Sequence, residues 1–163
     1  MNIKIIKAPE EYMQIISNLL QFYTYDFSEY TGNDTEPSGL FGVYPDLEKY
    51  WNEENRFPYI IKQDEKDIGF VFVRQIFTGE RNYFSIAEFF VMRKYRRKGI
   101  GRQVAIQILD LHRGQWEIFQ MESNTSAQAF WRTVILDYTK GQFSESVENK
   151  RTIQVFDNHN SFG

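Results

Sequence analysis

The sequence predicts a single-domain α/β fold, in which a mixed, mostly antiparallel sheet is flanked by helices. Strand-like runs alternate with segments of helical periodicity, and three strand-like runs follow one another in the middle of the chain. No internal repeat, low-complexity tract or linker divides the sequence. With 163 residues, 42% of them hydrophobic, the chain is long enough to bury one core. We therefore expect one domain over residues 1–163.

The N-terminal part is predicted to contain a strand, a long helix, a loop and a short helix. Residues 2–8 have strand character and are followed by a proline. Residues 9–30 carry apolar or aromatic side chains at helical spacing, namely Met13, Ile16, Leu19, Leu20 and Tyr23. Residues 31–46 are rich in turn formers, and a loop of this length is a candidate lid over a substrate. Residues 46–57 are expected to form a short helix with Asp46 as its cap.

The rest of the chain is predicted to complete the sheet. Strand-like runs at 58–63, 68–77 and 82–92 are joined by short polar turns, which predicts an antiparallel meander. A helix over 101–114 follows, ending at Gly114. A strand at 116–122, a helix at 126–139 and a final strand or hairpin between 143 and 157 come last. The order β-α-α-β-β-β-α-β-α-β predicts an α/β domain with a mixed sheet.

Composition excludes several classes of function. The chain contains no cysteine, which removes disulfides, thiolate metal sites and a cysteine nucleophile. Its two histidines have no neighbour at metal-ligand spacing, so we expect neither a metal nor a histidine triad. The net charge of −3 disfavours a nucleic-acid partner. The N-terminus lacks the apolar stretch of a signal peptide and no apolar run is long enough for a membrane span, so we expect a cytoplasmic protein.

A cluster of basic residues lies between the strand at 82–92 and the helix at 101–114. We call residues Arg96–Arg102 the basic loop. A strand that runs through a glycine-containing loop into a helix presents unpaired backbone N–H groups at the positive end of the helix dipole, which is an anion site. Gly99 and Gly101 permit positive φ and let phosphate oxygens approach the main chain. A pyrophosphate suits the loop, and the alternatives are a solvated loop or a patch that binds RNA.

Two common phosphate-binding motifs do not match this stretch. A P-loop needs lysine and then serine or threonine after its last glycine, and Gly101 is followed by Arg102 and Gln103. A dinucleotide-binding fingerprint needs a small residue where Val104 stands, and the preceding strands form no parallel βαβ unit. The basic loop therefore belongs to another kind of phosphate site.

The stretch resembles the signature of the GCN5-related N-acetyltransferases, Q/R-x-x-G-x-G/A. Here it reads Arg96-Arg97-Lys98-Gly99-Ile100-Gly101. A second motif of that family, N-x-x-A-x-x-F/L-Y/W, is similar to Asn124, Ala127, Phe130 and Trp131. The order of predicted elements also matches the family over nearly the whole chain, so the resemblance implies a single acetyltransferase domain over residues 1–163.

This resemblance implies acetyl-CoA as co-substrate, with no metal. In such folds the fourth strand splays from the fifth, and the pantetheine arm lies in the gap. Main-chain groups of Phe89, Phe90 and Val91 are expected to pair with the pantetheine, and an N–H there to polarise the thioester carbonyl. The residues of the basic loop, Arg96, Arg97, Lys98, Gly99, Ile100, Gly101 and Arg102, are expected to hold the pyrophosphate. Asn124, Phe130 and Trp131 are expected to line the thiol arm.

Glu88 is the candidate catalytic base. Along the strand it alternates with apolar residues, so that Ile86, Glu88 and Phe90 point one way. A carboxylate among apolar positions is costly unless it is paired or lines a cleft. Enzymes that resemble this one often have a glutamate in this region that acts as the catalytic base, directly or through water. The alternative is a structural partner for an arginine or lysine.

Trp131 departs from the family pattern, which often has a tyrosine able to protonate the leaving thiolate. An indole lacks that capacity, so Trp131 is expected to form a wall of the thiol tunnel. Tyr138, two helical turns later, is the candidate thiolate acid, with a packed core tyrosine as the alternative. The departure also keeps a second function open, a non-catalytic sensor that binds acyl-CoA.

The acceptor is expected to be a primary amine that attacks the thioester directly in a ternary complex, since no cysteine can carry the acetyl group. Acidic and aromatic residues of the N-terminal segment suit a small cationic amine, namely Tyr23, Tyr25, Asp26, Glu29, Tyr30, Asp34 and Glu36. Of these, Tyr25, Asp26, Glu29 and Tyr30 are the candidate acceptor-binding residues. The alternative is a solvated helix face. A homodimer is possible, and an RNA-binding module is the third functional class.

Overall fold

A computed structural model describes residues 2–162. The strands are Ile3–Lys7 (β1), Arg56–Gln63 (β2), Lys66–Phe77 (β3), Asn82–Val91 (β4), Gln115–Met121 (β5), Ser144–Glu148 (β6) and Arg151–Asp157 (β7). The helices are Met13–Thr31 (α1), Lys49–Asn52 (α2), Ile100–Leu111 (α3) and Thr125–Thr139 (α4). Short 3₁₀ segments at Glu10–Tyr12 and Arg93–Tyr95 precede α1 and the basic loop.

The strands form one seven-stranded sheet in the order β1-β2-β3-β4-β5-β7-β6. The pairs β1–β2, β5–β7 and β6–β7 are antiparallel, whereas β4 and β5 are parallel and pair at Phe84 and Trp116. The predicted α/β class with a mixed sheet is therefore confirmed. The C-terminal segment, left open as a strand or a hairpin, is a hairpin of β6 and β7.

The chain divides into two compact units, and β3 and β4 contribute to both. The first contains the residues up to 72 together with 88–92, and the second contains 73–87 and 93 onward. The prediction of one acetyltransferase domain over residues 1–163 stays a prediction.

The core of the first unit follows the predicted periodicities. Helix α1 buries Ile16, Leu19 and Leu20, which share one helical face. Strand β3 is buried continuously from Ile68 to Val73, as expected for a strand covered on both faces. Burial of these apolar side chains supplies roughly 1.5–3 kcal/mol each. These buried side chains form the apolar core of the first unit.

The second unit packs α3 and α4 with β5, β6 and β7. The buried face of α3 consists of Ile100, Val104, Ala105, Ile108 and Leu109. Two buried amides, Gln120 on β5 and Gln154 on β7, exchange side-chain hydrogen bonds of 2.8 and 3.1 Å. Because each amide satisfies the other, this polar pair is tolerated in the interior.

Several predicted boundaries were wrong. The helix expected over 46–57 is only Lys49–Asn52, and Arg56 and Phe57 already belong to β2. Asp46 does not cap α2, because its backbone adopts φ 56° and the residue at the N-cap position is Glu48. Helix α3 ends at Leu111 rather than continuing to Gly114, since His112 already has extended backbone angles. In the part of the chain that the structure describes, no helix has the length and apolar character that a membrane crossing requires.

Candidate functional site

Glu88 lies near the end of β4 in the first unit, facing two tyrosines. The Tyr44 hydroxyl donates a hydrogen bond of 3.5 Å to Oε1 of Glu88. The Tyr23 hydroxyl, on α1, donates a second hydrogen bond to the same carboxylate. Three distant segments of the chain thus converge on one acidic group, which is the arrangement expected of a functional site.

Burial raises the pKa of Glu88 from 4.5 to about 7, and the hydrogen bonds from Tyr23 and Tyr44 oppose this rise. Burial also raises the pKa of both tyrosines, with a further rise from the nearby charge of Glu88. The tyrosines therefore remain protonated donors at neutral pH. A carboxyl group that titrates near pH 7 is suited to accept a proton and release it again.

Aromatic rings supply the apolar surroundings of Glu88. The Tyr23 ring lies 5.6 Å from Phe70 and 5.7 Å from Phe90, measured between ring centroids. The Tyr44 ring lies 5.7 Å from Phe72. Since Phe90 and Glu88 both face Tyr23, the alternation predicted along β4 agrees with these contacts.

The loop between α1 and α2 is tied to α1 by one glutamine. The side-chain amide of Gln21 donates to the Phe41 carbonyl at 3.1 Å, and its oxygen accepts from the Phe41 N–H at 2.9 Å. This reciprocal pair fixes the loop three residues before Tyr44. The loop thereby carries one of the two tyrosines that hold Glu88, while its function as a lid stays a prediction.

The main chain after Glu88 lies against β3 at unusually close range. A Cβ atom at Gly69 would lie 2.0 Å from the Phe90 carbonyl oxygen and 3.1 Å from Cα of Val91. The Met92 N–H donates to the Ile68 carbonyl at 2.8 Å. Only glycine fits such an approach of two backbones. The pairing of Phe89, Phe90 and Val91 with a pantetheine arm stays a prediction.

The basic loop lies in the second unit and turns sharply into α3. Arg97 and Gly99 both adopt positive φ, 61° and 78°. Gly99 is the N-cap of α3, and its carbonyl accepts the Gln103 N–H at 3.1 Å. The first N–H groups of α3, starting at Ile100, have no intrahelical acceptor. These groups and the exposed basic side chains of the loop can hold an anion.

The two glycines of the loop have different functions. Gly99 needs the left-handed conformation, as the sequence indicated. Gly101 does not, because it lies inside α3 without a positive φ. A Cβ at Gly101 would lie 3.2 Å from the Phe130 ring, so the missing side chain makes room for that ring. The expectation of a positive φ at Gly101 was therefore wrong, while the approach of phosphate oxygens to its main chain stays a prediction.

The second family motif lies at the start of α4. Asn124 is buried and caps the helix, its Oδ1 accepting the Ala127 N–H at 3.0 Å. Phe130 packs against Gly101 and forms an edge contact of 5.1 Å with the buried Trp131. The structure thus brings the motif's aromatic residues together with the basic loop.

Arg102 and Tyr138 each have a partner in the second unit. Arg102 forms an exposed ion pair of 3.2 Å with Asp137. The Tyr138 hydroxyl donates to Asp110 at 2.9 Å and accepts from Asn158 at 3.0 Å. Tyr138 is thus hydrogen-bonded within the second unit, and its role as thiolate acid stays a prediction.

The four predicted acceptor residues of α1 do not share one environment. Tyr25 is 67% exposed and Glu29 is exposed, whereas Asp26 and Tyr30 are half-buried. The face of α1 that meets Glu88 carries Tyr23, which belongs both to the predicted apolar spacing of the helix and to the acidic and aromatic residues expected to attract the amine. Its hydrogen bond to Glu88 shows that a tyrosine on an apolar face also brings a hydroxyl to that face.

The family model described as "Acetyltransferase (GNAT) family" matches residues 19–134 of this chain. A comparison with curated protein sequences gave no significant match.

Solved acetyltransferase structures have a similar fold. An acetyltransferase from Thermus thermophilus has a TM-score of 0.70 at 14% identity, covering 96% of this chain and 97% of that one. PaiA N-acetyltransferase from Thermoplasma acidophilum, in complex with coenzyme A, has 0.65 at 12%, with coverage of 96% and 99%. Spermidine N-acetyltransferase from Vibrio cholerae, in complex with CoA and spermine, has 0.62 at 13%, with coverage of 94% and 92%.

Proposed function

Because the chain belongs to the GNAT acetyltransferase family, we propose that it transfers the acetyl group of acetyl-CoA to a primary amine. The observation that carries this proposal is Glu88, a half-buried carboxylate that accepts hydrogen bonds from Tyr23 and Tyr44 and whose pKa of about 7 suits proton transfer. In the sequence, Glu88 lies eight residues before Arg96, the first residue of the basic loop. The use of acetyl-CoA also fits the expected cytoplasmic location.

Glu88 acts as the general base in this proposal. An alkylammonium with a pKa of ~10.4 is roughly 3.4 units from neutrality at pH 7, which costs about 4.6 kcal/mol. Glu88, directly or through a water molecule, accepts the proton of the ammonium as the amine becomes nucleophilic. Its raised pKa makes it a stronger base than an exposed glutamate, while leaving about half of the molecules ionised near pH 7.

The acetyl transfer itself is a direct displacement. The amine nitrogen attacks the thioester carbon, the carbon–sulfur bond breaks, and the amide product retains the acetyl group. The thiolate of CoA then takes up a proton; since a thiol has a pKa of ~8.5, this leaving group needs little assistance near neutral pH. We therefore assign no thiolate acid, and Trp131 serves as a wall of the thiol tunnel.

The basic loop binds the pyrophosphate of acetyl-CoA. The N–H groups at the start of α3 and the side chains of Arg96, Arg97, Lys98 and Arg102 supply the positive charge. Arg102 exchanges its exposed ion pair with Asp137 for a phosphate oxygen, a change that costs little for a pair in water. Phe130 and Trp131 contact the thiol arm, and main-chain groups of Phe89 to Val91 pair with the pantetheine.

The acceptor is a small cationic amine. Tyr25, Asp26, Glu29 and Tyr30 provide carboxylate and aromatic groups that attract such a cation. The Vibrio cholerae enzyme of similar fold is a spermidine N-acetyltransferase, which supports an amine acceptor in this chain as well.

A sensor that binds acyl-CoA without turnover is the second candidate, favoured by Trp131 at the position where the family often has tyrosine. The deciding experiment incubates the protein with acetyl-CoA and a panel of primary amines, measures free CoA and identifies the product by mass spectrometry. An enzyme releases one CoA for each N-acetylated amine. Tight binding of acetyl-CoA by calorimetry, with no amine accelerating CoA release, would instead identify a sensor.

A further inference from the structure

We propose that the acceptor is a primary amine with an aromatic or branched apolar body and no carboxylate, and that Phe27 determines this preference. This inference rests on the proposed function, since it concerns the amine that Glu88 deprotonates. It is narrower than the cationic amine of the preceding section, because it requires an apolar body and excludes amino acids.

A row of three aromatic side chains on α1, which we call the wall, ends beside Glu88. Tyr23, Phe27 and Tyr30 occupy positions i, i+4 and i+7, so they lie on one helical face. Their ring centroids follow at 5.4 Å from Tyr23 to Phe27 and 5.9 Å from Phe27 to Tyr30. All three residues are half-buried rather than sealed in the core. The wall spans seven residues of helix, about 10 Å, which matches the length of a phenylalkylamine.

The loop after α1 supplies a second group of half-buried rings in the same unit. Phe41 is held by the two hydrogen bonds of Gln21, and Tyr44 reaches Glu88 with its hydroxyl. Gln21 thereby anchors the loop to the helix that carries the wall. The ring of Tyr44 contacts Phe72 at the floor of the unit.

Charge on this part of the chain selects against acidic acceptors. Residues 21–48 contain six acidic side chains and no lysine or arginine. Most of them are exposed, namely Glu29, Asp34, Glu36, Asp46 and Glu48, while Asp26 is half-buried. Such a segment attracts an ammonium group and repels a carboxylate. An amino acid or an acidic peptide is therefore a poor acceptor.

The wall offers an apolar surface beside Glu88. The neighbours of Phe27 include the rings of Tyr23 and Tyr30, and Tyr23 donates a hydrogen bond to Glu88. An apolar body placed against these rings is removed from water, which favours its binding. The wall thus favours an amine whose ammonium group lies at Glu88 and whose remainder is apolar.

The test compares kcat/KM for five acceptors that differ in one property each. They are 2-phenylethylamine, isoamylamine, ethylamine, phenylalanine and spermidine. We expect 2-phenylethylamine and isoamylamine to exceed ethylamine by about 10-fold or more, from the burial of their apolar bodies. Phenylalanine and spermidine are expected to fall at least about 10-fold below 2-phenylethylamine.

The variant Phe27→Ala tests the wall itself, and Phe27→Leu is its matched control because it keeps apolar volume without the ring. In Phe27→Ala the advantage of 2-phenylethylamine over ethylamine should shrink about 10-fold, with the affinity for acetyl-CoA unchanged. Phe27→Leu should keep most of the advantage of isoamylamine. Acetyl-CoA affinity reports on folding of both variants.

The outcomes separate this inference from the function on which it rests. Spermidine or phenylalanine as the best acceptor would overturn the inference and leave the acetyltransferase function intact, as would an unchanged preference in Phe27→Ala. Binding of acetyl-CoA with no turnover of any amine would overturn both.

Discussion

The substitution Glu88→Gln tests whether the carboxylate is held at a cost to folding. In the folded protein its pKa is about 7 rather than the ordinary 4.5, because burial disfavours the charged form. The folded state therefore binds more protons than the unfolded state between these values, and stability is lost as pH rises through that window. From pH 5 to pH 8 the two pKa values give a loss of roughly 2–3 kcal/mol from this group. Glutamine does not titrate, so residue 88 causes no such loss of stability with rising pH in the variant.

The assay is chemical denaturation of both proteins at pH 5 and pH 8. The stability of Glu88→Gln relative to wild type should rise by roughly 2–3 kcal/mol between the two pH values, which corresponds to roughly 5–10 °C in Tm for a chain of this size. The comparison between pH values cancels the constant effect of the amide in place of the carboxylate. Denaturant slopes for the two proteins should agree, since the fold is the same.

A structural ion pair gives the opposite result. Glu88 paired with a lysine or arginine would have a lowered pKa, and the variant would then lose relative stability as pH rises. A constant stability difference between pH 5 and pH 8 would also refute the reasoning, because it would mean that burial does not perturb this carboxyl group.

Three further predictions concern neighbouring features. Tyr23→Phe removes a hydrogen bond that lowers the pKa of Glu88, so the acidic inflection of kcat/KM against pH should shift to a higher pH by about one unit. An unchanged inflection would show that Tyr23 does not act on the base. Gly69→Ala places a Cβ 2.0 Å from a β4 carbonyl and should lower the free energy of unfolding, measured with denaturant, by more than about 2 kcal/mol. In the control Gly79→Ala a Cβ meets open space, and the loss should be about 0.5 kcal/mol or less; equal losses would contradict the close approach. Tyr138→Phe loses the hydrogen bonds to Asp110 on α3 and to Asn158, which should lower the free energy of unfolding by about 1 kcal/mol while the turnover rate stays unchanged. A large loss of turnover in the folded variant would identify Tyr138 as the thiolate acid.

Much of the fold could be predicted because it depends on local periodicity. The alternation of β4 gave the orientation of Glu88 beside Phe90, and the glycine pattern gave the left-handed residue at Gly99. These features involve only residues near one another in the chain, whose geometry follows from backbone preferences.

The partners of Glu88 could not be predicted, because they arise from long-range packing. Tyr23 and Tyr44 are separated from Glu88 by 65 and 44 residues, and nothing in their local sequence specifies a shared acid. The function of Gly101 was missed for the same reason, since the Phe130 ring that it accommodates belongs to another helix. Asp46 was assigned as a cap from its residue type, whereas the turn before α2 requires a positive φ there.

The most direct test of the central claim is kcat/KM against pH for wild type and Glu88→Gln with one good amine acceptor. Wild type should show an inflection near pH 7 from Glu88, on top of the rise that comes from the amine's own ionisation. The variant should bind acetyl-CoA normally, lose roughly 10²–10⁴-fold in rate, and keep only the amine's dependence on pH. Equal rates and parallel pH profiles in the two proteins would contradict the account, and the base would then have to be another group.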